Sequence, residues 1–141
     1  MIVEVRNRQR AHRINVARLK KLAAGFNSKF AALSIVLVND AEMARLNLQY
    51  HHTRGPTDIL TFDYGEGQGE LVISVERAVA QARRFRTTLA RELALYVVHG
   101  LLHLHGHDDR TPRQRARMRA AERRWLNRLS RYGHLTTLVK R

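Results

Sequence analysis

Four of the chain's eight histidines, at positions 99, 103, 105 and 107, fall in one short stretch. They stand in His99-Gly100-Leu101-Leu102-His103-Leu104-His105-Gly106-His107-Asp108-Asp109. His99 and His103 are four apart inside the apolar run from Leu93 to Leu104, and on a helix residues at that spacing share one face, one turn apart. Two imidazoles so placed can hold a single metal ion. Gly106 supplies a helix stop, because glycine readily takes the left-handed conformation that ends a helix. The chain turning back beyond it can bring Asp109 to the same ion. His99, His103 and Asp109 would offer two nitrogens and a carboxylate oxygen, leaving a fourth position for water or substrate. That count fits a catalytic zinc better than a structural one, although nickel or another divalent ion would also suit the donors. His107 is the rival third ligand, since it repeats the four-residue spacing after His103, but only if the helix runs on past Gly106.

The chemistry such a site could perform is hydrolysis. An ion held there would lower the pKa of water toward neutrality and draw charge from a phosphoryl oxygen. His51 and Arg54, in the loop His51-His52-Thr53-Arg54-Gly55-Pro56, are the candidate catalytic partners. His51 is the right residue type for proton transfer near neutral pH. Arg54, or a protonated His51, could stabilise the negative charge that develops on a phosphate. Peptide hydrolysis fits poorly: zinc peptidases with a paired-histidine helix carry a glutamate after the first histidine as general base, and here that position is Gly100. The glycine is instead expected to leave room beside the metal for a large substrate.

Composition agrees with a polyanionic substrate. The formal net charge is +14, from 26 Lys and Arg against 12 Asp and Glu. A chain this basic seeks nucleic acid ahead of membrane, although the excess of arginine over lysine is partly what an arginine-biased proteome would give. There are no cysteines, which excludes disulfides and thiolate zinc sites and makes the cytoplasm the expected compartment. No apolar stretch approaches the length of a membrane span, and the charged, alternating Met1 to Arg6 does not read as a signal peptide. Aromatic residues make up only 6% of the chain, so a base-stacking platform is not evident.

The elements that must position these residues read as follows. Ile2 to Val5 alternates as a short strand. Ile14 to Phe26 carries Val16, Leu19, Leu22, Ala23 and Phe26 at helical spacing, with Asn27-Ser28 ending the helix. Ala32 to Val38 is rich in β-branched residues and suits a buried strand. Asn39 to Glu42 is a capping-box pattern opening a helix from Ala41 to about Tyr50, with Met43, Leu46 and Leu48 available for packing. Asp58 to Tyr64 and Glu70 to Ser74 read as strands joined by a glycine-rich loop, and Glu76 to Phe85 as a helix. Thr87 and Thr88 can cap the histidine helix, whose inward stripe is Leu93, Val97, Leu101 and Leu104. Thr111-Pro112 starts a last helix running to about Leu129, with hydroxyl cap and first-turn proline in the favoured order. Its arginines (Arg113, Arg115, Arg117, Arg119, Arg123, Arg124 and Arg128) surround an apolar line of Met118, Ala121, Trp125 and Leu129, and offer a phosphate-contacting surface. His105 points away from the paired face, and His12, His52 and His134 have no evident partners. The pattern predicts one α+β domain over 1–141: about four strands in a mixed sheet, about five helices, and the metal site on the central helix.

The stretch from His99 through Gly106, with Asp108, resembles the signature of the bacterial YbeY family. So do Leu46-Asn47-Leu48-Gln49-Tyr50, Pro56-Thr57-Asp58-Ile59-Leu60-Thr61-Phe62 and Gly69-Glu70-Leu71-Val72-Ile73-Ser74. The likeness spans roughly Ala32 to Asp109. It implies a metal-dependent endoribonuclease acting on single-stranded ribosomal RNA in ribosome maturation, with ribosomal proteins as possible partners. It departs from the family in three places. His107 stands where an aromatic is usual, Asp109 at the position of the third ligand histidine, and His51 where the family places an arginine that matters for activity. The alternative is a non-catalytic assembly factor that binds ribosomal RNA around a mainly structural metal.

Overall fold

The apolar residues of Ala32–Val38 divide between the two faces of one sheet, because successive side chains on a strand point opposite ways. Leu33, Ile35 and Leu37 enter the larger of two cores, while Val36 and Val38 enter the smaller. Leu71 and Ile73 divide from Val72 in the same way. The computed structural model describes residues 1–26, 28–52, 55, 57–131 and 139. Its elements run β1 (Ile2–Asn7), α1 (Val16–Ala24), β2 (Ala32–Val38), α2 (Asp40–His51), β3 (Ile59–Gly65), β4 (Gln68–Ser74), α3 (Val75–Phe85), α4 (Leu89–Leu104) and α5 (Pro112–Arg131). The four strands lie in the order β1-β2-β4-β3. The first three are parallel, and β3 runs antiparallel to β4 at one edge. This is the mixed α+β sheet with five helices that the pattern predicts.

Most element ends follow local chemistry. Asn39 Oδ1 accepts from the Glu42 N–H at 2.8 Å and starts α2, and Thr88 Oγ1 accepts from Arg91 N–H at 3.1 Å to start α4. α1 is shorter than its periodicity suggests. Asn15 caps it by accepting from Arg18 N–H, so Ile14 stays outside and bridges to Val139. Gly25 ends it, leaving Phe26 buried beyond the helix. The expected stop at Asn27 lies outside the described residues. On α2, Met43 is buried and Leu46 partly so, whereas Leu48 is 52% exposed. Buried Asn47 takes the inward place and donates from Nδ2 to the Gly55 carbonyl at 3.0 Å.

The helix α4 lies across the sheet on the larger core, with Leu93, Val97, Leu101 and Leu104 all buried. Gly100 explains how closely it can lie. A Cβ there would sit 2.7 Å from both Ile59 Cδ1 and Leu71 Cδ2. The expectation that this glycine clears space beside the metal is therefore wrong: Ile59 and Leu71 fill the space, and Gly100 is buried.

Candidate metal centre

The histidine pair depends on how α4 ends. Gly106 has φ 92°. Its N–H donates to the His103 carbonyl, and that of His107 to the Leu102 carbonyl, both at 3.0 Å. This is the two-bond left-handed stop that glycine permits. The four-residue spacing from His103 to His107 therefore has no helix to act through. The chain turns back, and α5 holds the return. Gln114 Oε1 accepts from the N–H groups of Arg110 and Thr111 at 3.1 Å, and Thr111 Oγ1 caps Gln114 N–H. Arg115 Nη1 donates to the carbonyls of Asp109 and Arg110 at 3.3 and 3.1 Å.

Asp109 consequently faces the pair. Its Oδ2 lies 3.4 Å from His103 Nε2 and 3.7 Å from His99 Nε2. One donor atom from each of the three residues fits within 4.8 Å of the others. Ligands about 2.0–2.1 Å from a tetrahedral ion stand about 3.3 Å apart, so this donor set suits such an ion with little movement. The side chains are 25, 24 and 43% exposed for His99, His103 and Asp109, open enough to admit a substrate. Among the described residues this is the one such cluster, and His107 is not in it.

Sequence reasoning missed Glu122. Its Oε1 lies 2.8 Å from His99 Nδ1, and its side chain is only 14% exposed. A carboxylate can only accept, so Nδ1 carries the hydrogen and the Nε2 lone pair is left toward Asp109. The sequence signal was available: Glu122 is the sole acidic residue of an arginine-rich helix, set one turn after buried Met118. His105 is structural, as expected from its direction. Nδ1 lies 2.7 Å from the Leu101 carbonyl, Lys29 N–H donates to Nε2 at 3.1 Å, and the ring packs near Phe26 and Phe30.

Two cavities of about 300 Å³ flank the cluster. One opens toward β3, and His51, Thr57 and Thr61 line it together with all three cluster residues. The other lies between α4 and α5, where Arg115, Arg119, Tyr96 and Met118 meet His99 and Asp109. The Tyr96 phenol is raised above its ordinary pKa, by burial first and then by the Asp58 carboxylate, so it remains a neutral hydroxyl. The structure thus brings His51 to the same cavity as the cluster. Arg54 and His134 lie outside the described residues.

A family model described as Endoribonuclease YbeY matches residues 4–130. The chain belongs to the YbeY family. The Endoribonuclease YbeY of Solibacter usitatus is 40% identical over 112 residues, covering 79% of this chain and 73% of that protein. That of Thermodesulfovibrio yellowstonii is 32% identical over 153 residues, covering 90 and 96%. A Thermotoga maritima protein solved in solution superposes with a TM-score of 0.65 at 20% identity, covering 96% of this chain and 95% of its own; it shares the fold. No described helix is long and apolar enough to cross a membrane.

Proposed function

We propose that this member of the YbeY family is a metal-dependent endoribonuclease that cuts single-stranded ribosomal RNA during its maturation in the cytoplasm, with residues 1–141 working as one catalytic domain. The observation that carries the reading is the convergence of His99, His103 and Asp109 on one open cavity, with Glu122 fixing the His99 tautomer. His99 and His103 would hold the ion through Nε2 and Asp109 through Oδ2, and zinc is the ion two imidazoles and a carboxylate suit best. When bound, the ion supplies an activated water and withdraws charge from the phosphate. His51 faces the same cavity and is assigned the proton transfer. Arg54 follows it in the sequence and is assigned the stabilisation of negative charge on the phosphate. The net charge of +14 brings the RNA in.

The test uses protein purified without a nickel column. Metal analysis should find about one divalent ion per chain, and the protein should cleave single-stranded RNA. Chelation should abolish cleavage and added zinc restore it. His99→Ala should lose both metal and cleavage while keeping its circular dichroism spectrum, because the sheet and helix core does not depend on the ion. RNA binding without metal-dependent cleavage would support the assembly-factor reading instead.

A further inference from the structure

The low aromatic content hides how the aromatic residues are placed. The chain has one Trp, four Tyr and four Phe. Three of them meet at the edge of the sheet. Tyr50, in the last turn of α2, lies 5.4 Å from Phe62 between ring centroids, at 73°. Phe62 and Tyr64, two apart on β3, share one face; their rings are parallel to within 5° with centroids 6.0 Å apart. Tyr50 and Tyr64 are 54 and 62% exposed, while Phe62 packs against the smaller core and anchors the group. Large exposed rings side by side are uncommon on a monomer's surface unless something covers them.

Three observations say what covers them. The first is continuity with the metal cavity. β3 is the edge strand; its Thr61 lines the cavity on one face, and Phe62 and Tyr64 stand on the other face across that edge. His51 joins the two sides, lining the cavity while its ring centroid stands 6.3 Å from that of Phe62. The second is the chemistry beside the rings. Tyr64 donates its hydroxyl to Glu70 Oε1 at 2.9 Å. A phenol that donates to a carboxylate keeps its proton, so the ring is neutral and has Glu70 as a neighbour. Arg6 Nη2 stands 3.9 Å from Glu70 Oε2 and pairs with that carboxylate, so the exposed face of the neutral ring is left to an uncharged flat group. The third is the strongly basic chain as a whole, which selects a polyanion carrying such groups.

We infer that Tyr50, Phe62 and Tyr64 form a stacking platform for unpaired bases of the RNA strand on one side of the cut, the strand crossing the β3 edge past His51. The platform rests on the proposed RNA-cleaving role. It supplies that role with a reason for single-strand specificity, since paired bases have no free face to offer.

The test measures binding of a twelve-residue oligouridylate to metal-loaded protein across a salt series. The double variant Tyr50→Ala/Tyr64→Ala should bind about 5- to 150-fold more weakly, as the loss of stacking on one base does. The slope of log affinity against log salt should stay as it is, because no phosphate contact is removed. Tyr64→Phe should bind like the wild type, since it keeps the ring and loses only the Glu70 bond. An abasic ribose-phosphate strand of equal length should not distinguish the double variant from the wild type. Unchanged oligouridylate affinity in the double variant would overturn the platform, as would a loss accompanied by a flatter salt slope. So would a variant that binds RNA normally but no longer binds a ribosomal protein, which would make the rings a protein-docking surface. Failure of the cleavage role is seen separately: wild-type protein that binds RNA through these rings yet never cuts it would leave the platform standing and remove the nuclease.

Discussion

At the scale of single residues, Asp109 and Glu122 carry the sharpest expectations for the proposed metal site. Asp109 reaches the pair because Gly106 stops α4 and Arg115 and Gln114 hold the return. Asp109→Ala should therefore lose the metal. Asp109→His should keep it, and His107→Phe should be tolerated. Isothermal titration with zinc decides the matter, and full zinc affinity in Asp109→Ala would remove Asp109 from the site. Glu122 makes a different prediction. A carboxylate on the far nitrogen of a ligating imidazole orients the ring and raises its basicity, and losing it typically lowers metal affinity by about 10- to 100-fold. Glu122→Ala should show such a drop, while Glu122→Gln, which still accepts from Nδ1–H, should lose less. Equal affinities for Glu122→Ala and the wild type would make the 2.8 Å contact a packing detail. His99, His103 and Asp109 were legible because a helical period and a glycine stop are local signals. Glu122 stood out only as the lone acid of α5; its bond to His99 was not legible, because it spans 23 residues and depends on how α5 docks.

At the scale of elements, the strands and most helix caps followed from local chemistry. Ala32–Val38 was readable to the residue because β-branching, brevity and burial on both faces agree there. What periodicity could not show was which side of an element meets which neighbour. Leu48 was grouped with Met43 and Leu46 by spacing, yet it faces solvent while Asn47 holds the Gly55 carbonyl. Gly100 was read as space for a substrate, and its real work is the contact of α4 with the sheet. That contact is testable. Gly100→Val places branched bulk where even a Cβ would stand 2.7 Å from Ile59 and Leu71, and overpacking of this kind costs about 1–3 kcal/mol. The variant should melt several degrees below the wild type in a thermal scan with apo protein. A melting temperature at or above that of the wild type would mean that α4 can lift from the sheet without cost.

At the scale of the whole molecule, the question is how a chain with a net charge of +14 applies that charge. The exposed arginines of α5 are its densest group, and the sole carboxylate of that helix is turned inward to His99. The helix thus presents cations outward and inward steadies His99 and the Asp109 loop through Glu122 and Arg115. The apolar line that docks it was legible, since Met118, Ala121 and Leu129 are buried as their spacing predicts. Not every arginine is free for phosphate, however. Arg115 holds the Asp109 loop, and Arg128 lies over the Trp125 ring at 5.3 Å, which itself stacks on Phe26. Arg117, Arg123 and Arg124 are exposed and carry neither duty. Replacing these three with Ala should weaken binding of single-stranded RNA. Each phosphate contact contributes about −0.7 to the slope of log affinity against log salt, so the slope should become shallower by about 2 if all three contact phosphate. Zinc affinity and melting temperature should stay near those of the wild type, because none of the three touches the metal residues or the core. This outcome is the mirror image of that expected for the tyrosines, where affinity falls and the slope holds. An unchanged slope in the triple arginine variant would place the phosphate path on another face, and the β3 edge would then be the first place to look for it.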